Sequence, residues 1–153
     1  MLSNSSRYGI RAVIYLASRP ESNHVTGITT ISKDLNLPTP FLAKILQQLA
    51  RHKILHSIKG PHGGFSILRD PRKITLLDIV RIIEGEDIFN NCIIHNSTCK
   101  QVNESNRECI LHDDYASIRK ELINFFSNRT IYDLVKKARS EERRVGKECR
   151  SRW

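Results

Sequence analysis

The chain has 153 residues, 39% hydrophobic and 27% charged, the size of one domain with a modest extension and too apolar for extended disorder. Lys and Arg outnumber Asp and Glu by 25 to 16, a formal net charge of +9 that favours a polyanionic partner, nucleic acid being the commonest. No run approaches the ~20 apolar residues of a membrane span, and Arg7 and Arg11 break the N-terminal stretch where a signal peptide would be continuous.

A cytoplasmic protein with no membrane partner is therefore expected. Its cysteines would sit in a reducing compartment, where clustered thiols serve as metal ligands or redox groups more often than as disulfides. Residues 6–18 mix Ile, Val, Leu, Ala and Tyr with Arg7 and Arg11 and predict a mostly buried first helix, ended by Pro20 and Asn23. In ITTISKDLNL, Ile28, Ile31 and Leu35 lie at i, i+3 and i+7 on one face of a short second helix. Thr39 is the expected cap of a third, with Pro40 in its first turn, where a missing N–H costs nothing. Phe41, Leu42, Ile45, Leu46 and Leu49 form its apolar stripe, and Lys44, Gln47, Gln48 and Arg51 lie on other faces.

Two short helices joined by a tight turn, the second polar outside, read either as helix-turn-helix or as two amphipathic helices of a bundle. The next segment favours the first reading. HSIKGPHGGFSIL has β-prone runs around Ile58 and from Phe65 to Leu68, flanking Lys59-Gly60-Pro61-His62-Gly63-Gly64, the composition of a hairpin tip. A hairpin directly after a helix-turn-helix is a wing. This tip carries Lys59 and His62 with little bulk around them, so its backbone can approach a phosphate chain.

Thr75 with Asp78 forms a capping-box pattern and opens a helix bearing Leu76, Ile79, Val80 and Ile83, with Gly85 as its stop. Residues 86–112 are polar and aperiodic and hold three cysteines. Residues 113–127 predict a helix striped with Tyr115, Ile118, Leu122, Phe125 and Phe126. That stripe is too apolar for a lone exposed helix, so it packs on the core or on the same helix of a second subunit. Thr130 caps a short last helix, IYDLVKKA. The final stretch, RSEERRVGKECRSRW, lacks apolar periodicity and resembles a translated sequencing-adapter read-through, so it is set aside as a non-native tail. It holds Cys149 and six basic against three acidic residues; without it the net charge falls from +9 to +6.

RYGIRAVIYLA, LPTPFLAKILQQLARHKIL, KGPHGGF and ITLLDIVRIIEG together resemble the Rrf2 family of winged-helix transcriptional regulators, the IscR- and NsrR-like iron–sulfur regulators among them. The resemblance runs from Met1 to Ala138. It implies a mainly α fold with a small β-hairpin wing: a winged helix-turn-helix DNA-binding domain over 1–85, a cysteine-containing sensor loop over 86–112, and a dimerisation helix with a terminal helix over 113–138, followed by the tail 139–153. It also implies a homodimer, a double-stranded DNA operator, and an iron–sulfur cluster held by three cysteines, which fall on Cys92, Cys99 and Cys109 in the spacing C-x6-C-x9-C. The second gap is longer than the family's usual one. Cys109-Ile110-Leu111-His112 reproduces the C-x-x-H by which IscR-like members supply a histidine as fourth ligand. Arg7 stands where NsrR-like members place a ligating aspartate, so a 2Fe-2S cluster is favoured over 4Fe-4S.

The residues keep other occupants open. Thiolates are soft donors, and three in one loop can converge on a metal or a cluster. Cys92-x2-His95 and Cys109-x2-His112, with Cys99, also offer a zinc set, and a thiol–disulfide switch needs no metal. Unconnected cysteines would prefer an apolar core. His24, His52 and His56 lack such context and are expected at the surface or in packing. For DNA, the N-terminal residues of the recognition helix lie nearest the bases: Thr39, Phe41, Ala43 and Lys44. Lys44 can donate to guanine O6 and N7, and Phe41 and Ala43 can meet thymine methyls. Some IscR-like members carry glutamate where Ala43 stands, which implies a different base preference here. Lys59 and His62 are expected in the minor groove or on phosphate, and Arg7, Gln47, Gln48 and Arg51 on phosphate or in solvent.

The function expected is a repressor or dual regulator whose operator binding is modulated by a cluster sensing redox, nitric oxide or iron–sulfur status. The alternative is a regulator of the same fold that uses zinc, a thiol switch or a protein partner. For an enzyme there is only Cys109 near His112, with no phosphate loop, carboxylate pair or nucleophile elbow.

Overall fold

The computed structural model describes residues 2–19, 24–95, 97–104 and 109–150. The first helix, α1 (Asn4–Ser18), is capped by Ser3, whose hydroxyl accepts from the Ser6 N–H at 3.2 Å. Pro20 and Asn23, expected to end it, lie outside the described residues. Its buried face, with Ala12, Val13 and Leu16, packs on α3 (Thr39–Arg51) and α4 (Leu76–Glu84). Glu84 at the end of α4 reaches back to the start of α1. It accepts from the Ser6 hydroxyl at 2.6 Å and from the Ser3 N–H at 3.0 Å, satisfying a helix-terminal donor.

The second helix, α2 (Ile28–Leu35), ends at Asn36, held at φ +51° in the left-handed region that asparagine tolerates. After two intervening residues, Leu37 and Pro38, α3 begins, making the helix-turn-helix. Its N-cap is Pro38, not Thr39. Ile31, Leu42, Leu46 and Leu49 are fully buried and bond the two helices to the common core. At ~25 cal/mol per Å² of apolar surface, such side chains stabilise the fold by roughly 1.5–3 kcal/mol each.

Strands β1 (Leu55–Ile58) and β2 (Gly64–Ile67) pair antiparallel, with Leu55 opposite Ile67 and Ile58 opposite Gly64. Thr26, just before α2, bridges the free edge of β2: its N–H and carbonyl each bond Phe65 at 2.9 Å. A Cβ on Gly64 would lie 2.2 Å from the Thr26 carbonyl oxygen, so only glycine allows this approach. The wing is thereby anchored to the helix-turn-helix at its base.

The capping box of α4 forms as the sequence predicts: Thr75 accepts from the Asp78 N–H at 3.1 Å and Asp78 from the Thr75 N–H at 2.9 Å. Gly85 terminates the helix at φ +95°. A 3-10 turn (Glu86–Phe89) follows, then a reversal closed by a bridge between Asn91 and Thr98. Residues 86–112 are expected to be aperiodic, yet they contain a short helix, α5 (Cys99–Glu104). Thr98 and Gln101 exchange capping-box bonds at its start, at 3.0 and 3.3 Å.

Helix α6 (His112–Ser127) packs on α4 and on the 3-10 turn, with Phe126 against Phe89 at 5.5 Å between ring centroids. The last helix, α7 (Ile131–Arg150), is pinned to the start of α4: Ile131 N–H bonds the Ile74 carbonyl and Leu76 N–H the Arg129 carbonyl, both at 2.9 Å. It runs past Ala138, where the sequence pattern suggests it stops, because the Arg, Lys and Glu that follow are good helix formers. Arg139 donates to the Ser18 carbonyl at 2.6 Å; the side chain of Cys149 lies outside the described residues. Among the described residues no helix is long and apolar enough to cross a membrane.

Candidate nucleic-acid interface and cysteine pocket

The face of α3 turned away from the core exposes Phe41, Lys44, Gln47 and Arg51, with Ala43 half-buried among them. Phe41 is 63% exposed although phenylalanine normally seeks a core. Lys44 lies three residues on, so the pair offers an apolar surface and a cation at one end of the helix. The hydroxyl of Thr39 is committed elsewhere. It lies 2.7 Å from Ser32 Oγ, and Ser32 spends its single O–H on the Leu37 carbonyl at 2.6 Å, so Thr39 is the donor between them. Thr39 thus locks the turn between the helices. Gln48, expected on phosphate or in solvent, is half-buried and donates to the Ile82 carbonyl of α4, because its position on α3 faces the α4 side of the core.

At the wing tip Lys59 and His62 are exposed. The turn closes with Gly63 N–H on the Gly60 carbonyl at 2.9 Å, and a Cβ at Gly63 would sit 2.3 Å from the Ile58 carbonyl oxygen. The chain there can be no bulkier, so the two basic side chains project from a narrow hairpin. Arg7, His24, His52 and His56 are also exposed.

The second feature is a buried pocket between the reversal, α5 and the start of α6. Cys92, Cys99 and Cys109, with Val102, form a small buried cluster apart from the main core. All three are free thiols. Cys92 Sγ lies 3.4 Å from Cys109 Sγ and 3.2 Å from His95 Nδ1, and the three donor atoms fall within 4.8 Å of one another. The hydrogen bond with the His95 ring, followed by the backbone N–H groups of His95 and Ile94, lowers the Cys92 thiol to about 6. For Cys109, the Leu111 backbone favours the thiolate. The hydrogen bond to Cys92, burial and the neighbouring Cys92 and Cys99 outweigh it and push that thiol up.

Cys99 is in the same cluster but has a different partner. Arg119, seven residues into α6, donates through Nη2 to Cys99 Sγ at 3.0 Å and to the Asn91 carbonyl at 3.3 Å, and its guanidinium lies 5.0 Å from the Tyr115 ring centroid. His112 opens α6 with its N–H on the Cys109 carbonyl at 2.9 Å, while its Nδ1 is buried with no hydrogen-bond partner among the described residues. Sequence reasoning missed Arg119 altogether, since the signal of this helix is its apolar stripe and a lone arginine beside it carries no pattern. Three clustered thiols with the His95 imidazole beside them suit a thiophilic metal or an iron–sulfur cluster, and the orphaned His112 nitrogen at the start of α6 is the kind of group a ligated metal satisfies.

The chain matches a family described as "Rrf2: Iron-dependent Transcriptional regulator" over residues 2–137. It is 30% identical over 135 residues to an Aquifex aeolicus protein named as an HTH-type transcriptional regulator, covering 88% of this chain and 91% of that one. Among solved structures it is similar to CymR (YrzC), the global cysteine regulator of B. subtilis, with a TM-score of 0.72 and 23% identity over 90% of this chain and 97% of that one. It is also similar to the IscR of T. potens, with a TM-score of 0.65 and 22% identity over 90% and 88% of the two chains. At those identities the structures speak for the shared winged-helix fold.

Proposed function

The chain belongs to the Rrf2 family of transcriptional regulators, and from that premise we propose that it acts in the cytoplasm as a homodimeric operator-binding repressor or dual regulator whose DNA affinity follows the occupancy of its cysteine pocket. The observation that carries this reading is the convergence of Cys92 and Cys109, 17 residues apart in sequence, to 3.4 Å inside a buried thiol cluster roofed by α6.

The occupant is an iron–sulfur cluster, 2Fe-2S in preference to 4Fe-4S, on Cys92, Cys99 and Cys109 with His112 as fourth ligand. Such a group supplies iron and sulfide that react with oxidants and nitric oxide and so register chemical conditions. The chain's own residues carry the signal. Arg119 ties Cys99 and the Asn91 carbonyl to α6. Phe126 ties α6 to Phe89 beside α4, and Gln48 ties α4 to the recognition helix α3. A change of pocket occupancy that favours one placement of α6 thereby shifts the population of DNA-competent dimers.

The stripe of α6 offers the subunit contact. Ile118 and Phe125 are 58% and 53% exposed, and with half-buried Tyr115 and Leu122 they make an apolar seam that a second copy would cover. On DNA, α3 enters the major groove with Phe41, Ala43 and Lys44 at base edges and Thr39 holding the turn that aims them. Lys59 and His62 of the wing and Arg51 take the backbone or the minor groove. The test is oxygen-free purification, with visible absorbance, iron and sulfide analysis, and titration of duplex DNA onto loaded and stripped protein. A brown dimer with two different operator affinities is expected; no affinity for any duplex in either form would end the proposal.

A further inference from the structure

We infer that the pocket also holds a single soft divalent cation of the zinc class, on Cys92, His95 and Cys109 with His112 completing the set, and that Cys99 is left out of it. This deepens the reading of the same pocket as a metal-responsive site. The two occupants share Cys92, Cys109 and His112 but differ in the remaining donor, Cys99 or His95, so they exclude each other.

The geometry separates the donors. With Zn–S near 2.3 Å and Zn–N near 2.0–2.1 Å, ligand atoms on one tetrahedral ion lie roughly 3.3–3.8 Å apart. Cys92 Sγ to Cys109 Sγ at 3.4 Å and Cys92 Sγ to His95 Nδ1 at 3.2 Å lie close to those edges, and the trio of donor atoms is mutually within 4.8 Å. Sequence spacing supports it too: Cys92-x2-His95 and Cys109-x2-His112 each have the separation of a chelating pair. His112 Nδ1 is buried with no hydrogen-bond partner among the described residues, and the His112 backbone N–H is tied to the Cys109 carbonyl at 2.9 Å.

Charge keeps Cys99 apart. Its sulfur receives the Arg119 guanidinium at 3.0 Å. Bringing a dication onto the same sulfur would either break that bond or place two cations side by side in a low-dielectric pocket. Two thiolates and two neutral imidazoles instead balance the dication by themselves. The thiol protons of Cys92 and Cys109 pass to solvent on binding. A cluster, by contrast, spreads its ligands over more than one iron and takes Cys99 as a donor. The exchange of His95 for Cys99 is therefore the step at which the pocket tells a lone ion from a cluster, and Arg119 on α6 is the group that feels the exchange, through its bond to Cys99 Sγ.

The experiment uses the full chain, stripped of metal and reduced without oxygen, titrated with cobalt(II) as a spectroscopic stand-in and then with zinc. One equivalent of cobalt should give a tetrahedral visible band and a thiolate charge-transfer intensity corresponding to two sulfurs, and zinc should displace it. His95→Ala should weaken binding by at least the ~10–100-fold that loss of an outer-shell partner costs, whereas Cys99→Ala should leave affinity and spectrum as in the wild type. A three-sulfur intensity, undiminished affinity in His95→Ala, or no stoichiometric binding would overturn the inference. The sulfur count is read in the wild type, so it decides the matter even if Cys99→Ala folds poorly. Cluster reconstitution separates the two claims. A wild type that takes cobalt through two sulfurs yet builds no cluster upholds this site and removes the cluster reading. One that builds a cluster but takes cobalt through three sulfurs does the reverse.

Discussion

Arg119 donates to Cys99 Sγ at 3.0 Å across the boundary between α6 and the cysteine pocket, so one side chain belongs both to the helix with the exposed apolar seam and to the thiol cluster. Charged hydrogen bonds in partly buried sites contribute on the order of 1.5–3 kcal/mol. Arg119→Met should therefore lower stability by about that amount in denaturant unfolding. It should also narrow the difference in operator affinity between loaded and stripped protein, read by DNA titration. An unchanged difference would remove Arg119 from the signal path.

Lys44 and Lys59 should differ in kind. Lys44→Ala should alter sequence preference across operator variants, because a base contact is lost. Lys59→Ala should weaken binding to all duplexes alike and reduce the slope of log affinity against log salt by about 1, because a phosphate contact is lost. Equal, sequence-independent losses from both would count against the assigned roles.

Gly64 lies against backbone rather than a flexible side chain: the added Cβ of Gly64→Ala would meet the Thr26 carbonyl oxygen at 2.2 Å. The pair of hydrogen bonds between Thr26 and Phe65 must then open, for a cost of about 1–3 kcal/mol. Thermal unfolding should show it, and a variant with the wild-type Tm would contradict the close approach.

Glu84 gives a pH dependence of definite sign. Burial favours its neutral form, but hydrogen bonds from Ser3 and Ser6 to the carboxylate win, and its pKa lies below the ordinary value. The stabilisation is thus present above the unfolded-chain pKa and lost as pH falls through the lower folded one. Glu84→Gln should be less stable than wild type at pH 7, with the gap closing in acid. Parallel Tm curves across that range would exclude the linkage. The effect should be small, since the site is partly solvated.

A chain ending at Ala138 should keep its fold and operator binding, since the core contacts of α7 lie at Ile131 and Val135 and the family match stops at residue 137. Loss of duplex affinity on truncation, with an unchanged Tm, would instead make the basic tail part of the DNA interface.

The amino-acid sequence alone determined the order of helix, helix-turn-helix, wing and capped helix, because each of those elements follows local rules: apolar period at α2 and α3, a Gly-rich tip between β1 and β2, the Thr75–Asp78 box. Thr98-x-x-Gln101 would have announced α5 in the same way, but the helix has only six residues and Cys99 and Val102 as its sole apolar pair, too short for a period to show. Tertiary structure decided the rest. Whether Thr39 faces Ser32 or DNA, and whether Gln48 faces Ile82 or solvent, depends on how α2, α3 and α4 meet. Which of two histidines stands beside Cys92, and that Arg119 holds Cys99, depends on a chain reversal that brings positions 92, 95, 109 and 119 together. Spacing along a chain limits which donors can converge; only the packed backbone fixes the distances between their atoms.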